Sequence, residues 1–143
     1  MTAIPRRDLL KFELELQSQG PKEMEQTFSR LSRKIALQIL RGTVLRTPVD
    51  TGRARANWQV TIGAPASGEV DALDKDGGAT MESGVGALSG MPPFASIWIT
   101  NNLPYINRLE FDSWSSQAPD GMLRVTVAEV EAQFGVALDD VKE

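Results

Sequence analysis

The sequence predicts an α+β fold: a small antiparallel β-sheet packed against a long helix in the N-terminal half and a second helix near the C-terminus, with short helices in the connections. Three observations carry this expectation. Met24, Phe28, Leu31, Ile35 and Ile39 recur every three or four residues, and Leu40 and Val44 extend the stripe, which is the mark of an amphipathic helix. Trp58-Gln59-Val60-Thr61-Ile62 alternates strictly between apolar and polar, as a half-buried strand does. Leu123, Val127, Val130, Phe134, Leu138 and Val141 return to helical spacing. One sheet with two amphipathic helices on one face is the simplest two-layer arrangement that buries all three apolar faces. No internal repeat, low-complexity tract or linker interrupts the 143 residues, so residues 1–143 read as one domain, with 1–20 and 139–143 as loosely held ends.

Taken in order, residues 6–17 are ambiguous. From Leu10 to Leu16 apolar residues alternate with Lys11, Glu13 and Glu15, which fits a strand, while Leu9, Phe12 and Leu16 fit a helical face; a short extended segment or frayed helix is the reading adopted. Pro21 suits a first helical turn, where its missing N–H costs nothing. Glu23 and Glu25 complement the positive end of the helix dipole, and Arg41 and Arg46 the negative end. Arg30, Lys34 and Arg41 fall on the wet side. Pro48 disfavours helical geometry at Thr47, so the long helix should stop there.

Asp50 and Thr51 carry short oxygen-bearing side chains that suit a turn or a helix N-cap, and Gly52 permits a tight backbone. Arg53 to Asn57 is expected to form one helical turn. After the strand at 58–62, the run 63–68 turns the chain, and residues 69–73 are expected to pair back as a short second strand. Residues 79–88 are expected to be helical up to Ser89-Gly90, and Pro92-Pro93 to stop that helix. Residues 94–100, rich in β-branched and aromatic side chains, read as a central strand. Asn101-Asn102 suits a turn, and Pro104 a short helix through Glu110 with Tyr105 and Leu109 on one face. Trp114 stands in a Ser-rich loop, either as a docking contact or as a lid on the core. The C-terminal helix is expected over about 121–138.

Composition narrows the chemistry. There is no Cys, hence no disulfide framework and no thiolate zinc site. There is no His, which removes the commonest metal ligand and general base. Asp50, Glu82, Glu110, Asp112 and Asp120 form no motif-like pair, and Ser113, Ser115 and Ser116 have no base to activate them, so no catalytic residues are assigned. Asp74-Lys75-Asp76-Gly77-Gly78 resembles part of a calcium loop. Placing Asp76 at the fifth position, however, puts Ala72 at the first and Ser83 at the twelfth, where ligands are required; a solvated acidic turn is the better reading and no metal is assigned. Gly84 to Gly90 lacks the Lys-Ser/Thr of a phosphate loop, and no cofactor is assigned. No apolar run is long enough to cross a bilayer, and none follows Met1 to Arg7 that would serve as a signal peptide; a soluble protein made in a reducing cytoplasm is expected.

The net charge of −4 is unevenly distributed. Residues 1–55 hold 11 basic and 6 acidic side chains, residues 56–143 hold 4 and 13. A basic half can contact nucleic acid, but no interleaved aromatics support base stacking. A solvated basic helix face is the plainer account. A third is that unlike halves of neighbouring subunits meet head to tail around a ring.

Thr47 to Trp58, TPVDTGRARANW, resembles the TPVDTGxLRxxW signature of the tailed-phage neck proteins, the tail-completion or head–tail joining family that includes minor tail protein Z relatives. Ile99 to Glu110, ITNNLPYINRLE, resembles the TNNLPYAxRLE block of that family, and Gln117 to Glu129, QAPDGMLRVTVAE, its QAPxGMVRxTVAE block. The three blocks occur in the family's order and span most of residues 35–134.

The resemblance implies an α+β fold and a structural role in the virion neck. Subunits of such proteins cap the end of the tail tube or join it to the head-completion ring, and related rings are six-fold. The implied partners are further copies of the chain in a hexameric ring, the tail tube protein and the head-completion or connector proteins. DNA passes through without its sequence being read, and no membrane is involved. The residues matched to the signature are Pro48, Asp50, Thr51, Gly52, Arg53, Trp58, Asn101, Asn102, Pro104 and Tyr105. Arg53, Arg55, Asp74, Asp76 and Trp114 are candidate interface residues, Arg53 and Arg55 through intersubunit ion pairs or simply as solvated charges. Residues 64–82 and 111–120 are the candidate partner-facing loops. The alternative function is a nucleic-acid-binding accessory protein using the basic helix 22–46; a small-ligand module is a third.

Overall fold

A computed structural model describes residues 21–135; the segment 6–17 and the chain beyond 135 lie outside the described residues. The long helix, α1, spans Pro21–Arg46, ending just before Thr47-Pro48, with Glu23 in its first turn and Arg46 in its last. Its buried face differs from the heavy apolar stripe. Ser29, Ala36, Leu40, Thr43 and Val44 are buried, whereas Leu31 is 39% exposed and Ile35 and Ile39 are only half-buried. The reason is close packing. A Cβ on Gly42 would lie 2.5 Å from the Thr126 methyl, and one on Gly84 would run into the Leu40 side chain. Two further helices therefore approach α1 closely, one where α1 itself has a glycine, Gly42, and the other by setting its own glycine, Gly84, on Leu40.

One turn of helix, α2, covers Arg53–Ala56 as expected. Strand β1, Gln59–Ile62, pairs antiparallel with β2, Ile97–Thr100, with Val60 opposite Ile99 and Ile62 opposite Ile97. Those four aliphatic side chains pack against the core, while Gln59, Thr61, Trp98 and Thr100 alternate to the other face.

The hairpin expected from residues 69–73 does not form: these residues are not a strand, and β1 finds its partner more than thirty residues further along the chain. The Asn57 side chain takes the pairing groups of the returning loop instead. Its Oδ1 accepts from the Val70 N–H at 2.7 Å, and its Nδ2 donates to the Val70 carbonyl at 3.1 Å. The expected strand at 94–100 shortens to four residues, because Phe94 lies at φ 60, off the extended backbone.

Helix α3, Gly78–Leu88, packs on β1 and α1. Helix α4 covers Ile106–Phe111, two residues after Pro104, and α5 covers Leu123–Phe134 and packs against α1. The core consists of Leu40, Val44, Trp58, Leu103, Ile106, Leu109 and Met122, with Ala36, Leu88 and Met91 forming a smaller cluster. Among the described residues no helix is long and apolar enough to cross a membrane.

Candidate functional site

Trp58 is buried at the centre of the corner between α1 and β1. Its indole N–H donates to the Thr47 hydroxyl at 2.8 Å, which donates in turn to the Thr43 carbonyl at 2.7 Å. The chain can leave α1 and still bury its largest aromatic because Thr47, fully enclosed, supplies both an acceptor and a donor.

Gly52 makes the turn into α2 at φ 90, a left-handed backbone that glycine adopts without penalty. Its carbonyl accepts from the Asp74 N–H at 3.0 Å, and a Cβ there would lie 2.7 Å from the Asp74 backbone. The turn expected at Asp50 and Thr51 is present, but neither residue caps α2. The cap position is Gly52, and Thr51 only receives a long 3.3 Å bond from the Arg53 N–H.

Arg55 is engaged within the subunit. Its guanidinium donates to the carbonyls of Thr47 at 3.0 Å, Leu45 at 3.0 Å and Lys75 at 2.7 Å. It thereby ties the end of α1 to the loop before α3, using the fixed fork of the guanidinium group. Arg53 pairs with Glu69 at 2.5 Å, and both side chains are 40% or more exposed, so this bridge is weak and exchangeable.

Asp74, read from the sequence as an interface residue, is buried. Its carboxylate fastens the start of α3, accepting from the Gly77 N–H at 3.0 Å and from the Thr80 N–H and hydroxyl at 2.8 and 2.6 Å. Burial pushes its carboxyl up, but the Thr80 hydroxyl and the Thr80 and Gly77 amides outweigh that and hold it below the ordinary 3.8. Asp76 remains exposed and accepts from the Gly78 N–H at 2.9 Å.

The other two sequence blocks lock onto this corner. Asn101 donates to the Ala54 carbonyl at 3.0 Å, and Asn102 holds the carbonyls of Ala66 and Gly68 at 2.9 and 3.0 Å. Gln117 accepts from the Val49 N–H at 2.9 Å. Glu110 is buried at the end of α4, and its carboxylate accepts the N–H groups of Met122, Leu123 and Arg124 at 2.7, 3.0 and 2.7 Å. These are the orphan donors of the first turn of α5, whose own cap residue supplies no side-chain bond. Arg124 returns a bond to the Glu110 carbonyl oxygen and lies over the Phe111 ring. Asn57, Glu110 and Gln117 were not singled out from the sequence as site residues. The signal that could have found them was their place inside the three blocks.

An open groove of about 530 Å³ lies along the corner. Residues 48–54, Tyr105, Leu109 and Trp114 to Gln117 line it. Trp114 is 57% exposed, so it is no lid on the core; it leans on Tyr105, with ring centroids 6.3 Å apart, and the Arg108 guanidinium sits 5.6 Å from its ring. Of the residues singled out from the sequence, the groove gathers Pro48, Asp50, Thr51, Gly52, Arg53, Tyr105 and Trp114. Asn101 bonds the lining residue Ala54 and Trp58 the adjoining Thr47 from outside the lining, Asn102 holds the loop at Ala66 and Gly68 instead, Pro104 is exposed before α4, and Arg55, Asp74 and Asp76 belong to the α3 end. Among the described residues no three acidic side chains gather to hold a metal ion. A shallow channel with an aromatic wall and a hydrogen-bonded rim is suited to receiving a protein segment.

Neither models of protein families, nor curated proteins, nor solved structures give a match to this chain.

Proposed function

We propose that this chain is a structural protein of a tailed-phage or prophage virion that completes the tail and joins it to the head at the neck, acting by ring assembly and protein docking. The observation that supports this most is that the three blocks resembling the neck family interlock. Asn101 reaches Ala54, Gln117 reaches Val49, and Glu110 caps the helix that carries the third block. Residues separated by up to 68 positions thus act as one brace around one groove. A pattern shared across all three blocks is what a common architecture requires, whereas chance resemblance has no reason to fall on the contacts between them.

In this reading the groove at Trp114 receives a segment of a neighbouring subunit or of the tail tube protein, and association itself makes the join. The copies form a ring, six-fold as in the family it resembles, through which DNA passes unread. Protein composition of purified particles tests it. The chain should be found in intact virions in a small fixed copy number, and in the tail or neck fraction after particles are disrupted. Its absence from washed virions would overturn the reading. Tight DNA binding that weakens steeply with salt would then favour an accessory nucleic-acid role for α1.

A further inference from the structure

The solvent face of α1 carries a basic stripe. No acidic residue occurs between Glu25 and Asp50. Within that run Arg30, Lys34 and Arg41 follow at spacings of four and seven residues, which puts them on one side of the helix, and all three are exposed. Leu31, 39% exposed, joins this face three residues before Lys34. Lys34 lies 5.9 Å from the Phe134 ring, a contact that leaves its ammonium group in water.

The groove along the corner has the opposite charge at its rim. Asp50 lines it, and the loop carrying Trp114 starts after Asp112 and ends at Asp120; all three carboxylates are exposed. The Ser113 hydroxyl donates to the Pro119 carbonyl at 2.5 Å, which draws the ends of that loop together and sets Asp112 and Asp120 at one base. Against these acids stand Arg53, already paired with Glu69, and Arg108, held beside the Trp114 ring.

Stripe and groove of one molecule do not meet. Lys34 is about 18 Å along α1 from Arg46, and the groove begins beyond Arg46. A contact between them therefore joins two copies head to tail, a geometry that repeats from copy to copy and closes where the rotation allows.

We propose that the groove at Trp114 takes the basic stripe of α1 from a second copy of this chain, with Arg30 and Lys34 set against Asp112 and Asp120 and Leu31 against the Tyr105–Trp114 pair. Aromatic faces accept both an aliphatic side chain and a guanidinium group. The proposal rests on the docking role given to the groove and narrows its occupant to the chain itself.

Self-association of the full chain, followed by sedimentation at about 0.05 M and about 0.5 M salt, tests it. Association is expected at low salt and should weaken at least about tenfold at high salt. At low salt Arg30→Glu/Lys34→Glu should weaken it at least about tenfold, and so should Asp112→Lys/Asp120→Lys. The quadruple variant has the wild-type net charge and should associate again, because its reversed stripe meets a reversed rim. All four positions are exposed, so the melting curves of the variants should stay close to that of the wild type. A wild-type chain that remains monomeric at low salt up to about 1 mM, or a quadruple variant that does not recover, would overturn the proposal. Stripe variants that keep self-association but lose salt-sensitive DNA binding would give the stripe to nucleic acid and overturn it as well. The neck assignment fails separately, on absence of the chain from washed virions.

Discussion

Trp58 and Thr47 are joined by a 2.8 Å hydrogen bond across the corner where α1 gives way to β1, and both side chains are buried. Replacing Trp58 with Phe keeps most of the apolar volume but leaves the Thr47 hydroxyl short of a donor. The expected cost is about 1–2 kcal/mol, the hydrogen bond plus a small void. Trp58→Ala should cost about 3–5 kcal/mol. Urea unfolding of both variants against the wild-type protein measures each value.

Glu110 holds the start of α5 from outside that helix. Glu110→Ala leaves several N–H groups of the first turn without their acceptor, Met122's among them fully buried, and should destabilise by about 2–4 kcal/mol. Glu110→Gln offers one accepting oxygen where two served three donors, and should cost roughly half as much. Equilibrium unfolding gives the two values, and hydrogen exchange should show the first turn of α5 opening in both variants.

Much of this architecture was legible in the chain. Pro21, the apolar stripe and Pro48 bound α1, and the alternation from Trp58 to Ile62 marks β1, because helix and strand periods are local properties. The rotated buried face of α1 was not legible, since it depends on Gly42 and Gly84 admitting helices from elsewhere in the sequence. The hairpin at 69–73 failed because Asn57, a side chain, competes for the backbone groups of Val70. Asp74 looked like a surface charge because its donors, Gly77 and Thr80, are read as loop and helix residues rather than as partners. Within the groove, Pro48 to Ala54 come from one contiguous stretch, whereas Gln117 reaches it only through the tertiary fold, as Glu110 reaches the start of α5.

Asp74 makes stability depend on acid. Its carboxyl lies below 3.8 in the folded chain, so the folded state favours the charged form. That contribution is present above the ordinary value and is lost as pH falls through the lowered folded value. Asp74→Asn should therefore destabilise at pH 7, by about 1–3 kcal/mol, and should flatten the loss of stability below about pH 4. Urea midpoints of wild type and variant across pH 2–7 check both the offset and the slope.

Gly52 and Gly63 separate conformational strain from crowding. Both have positive φ, 90 and 87, but a Cβ at Gly52 meets the Asp74 and Lys75 backbone at 2.7 Å, while one at Gly63 meets nothing. Gly63→Ala should cost about 1–2 kcal/mol, and Gly52→Ala about 3 kcal/mol or more. Thermal melts of the pair measure the difference.

Trp114 should matter for assembly rather than for folding. Exposed as it is, Trp114→Ala should change stability by no more than about 1 kcal/mol. If the groove is a docking site, loss of an aromatic anchor should reduce complementation of a gene disruption at least about tenfold. Plaque or induction titres, read beside the melting curve of the purified variant, separate the two effects.

The neck assignment meets its most direct test in electron microscopy of the particles made when this gene alone is disrupted in the genome that carries it. The account predicts filled heads without tails beside free tails of wrong or undefined length, with joined particles restored by the wild-type gene. Normal, infectious, tailed particles in the disrupted strain would contradict it.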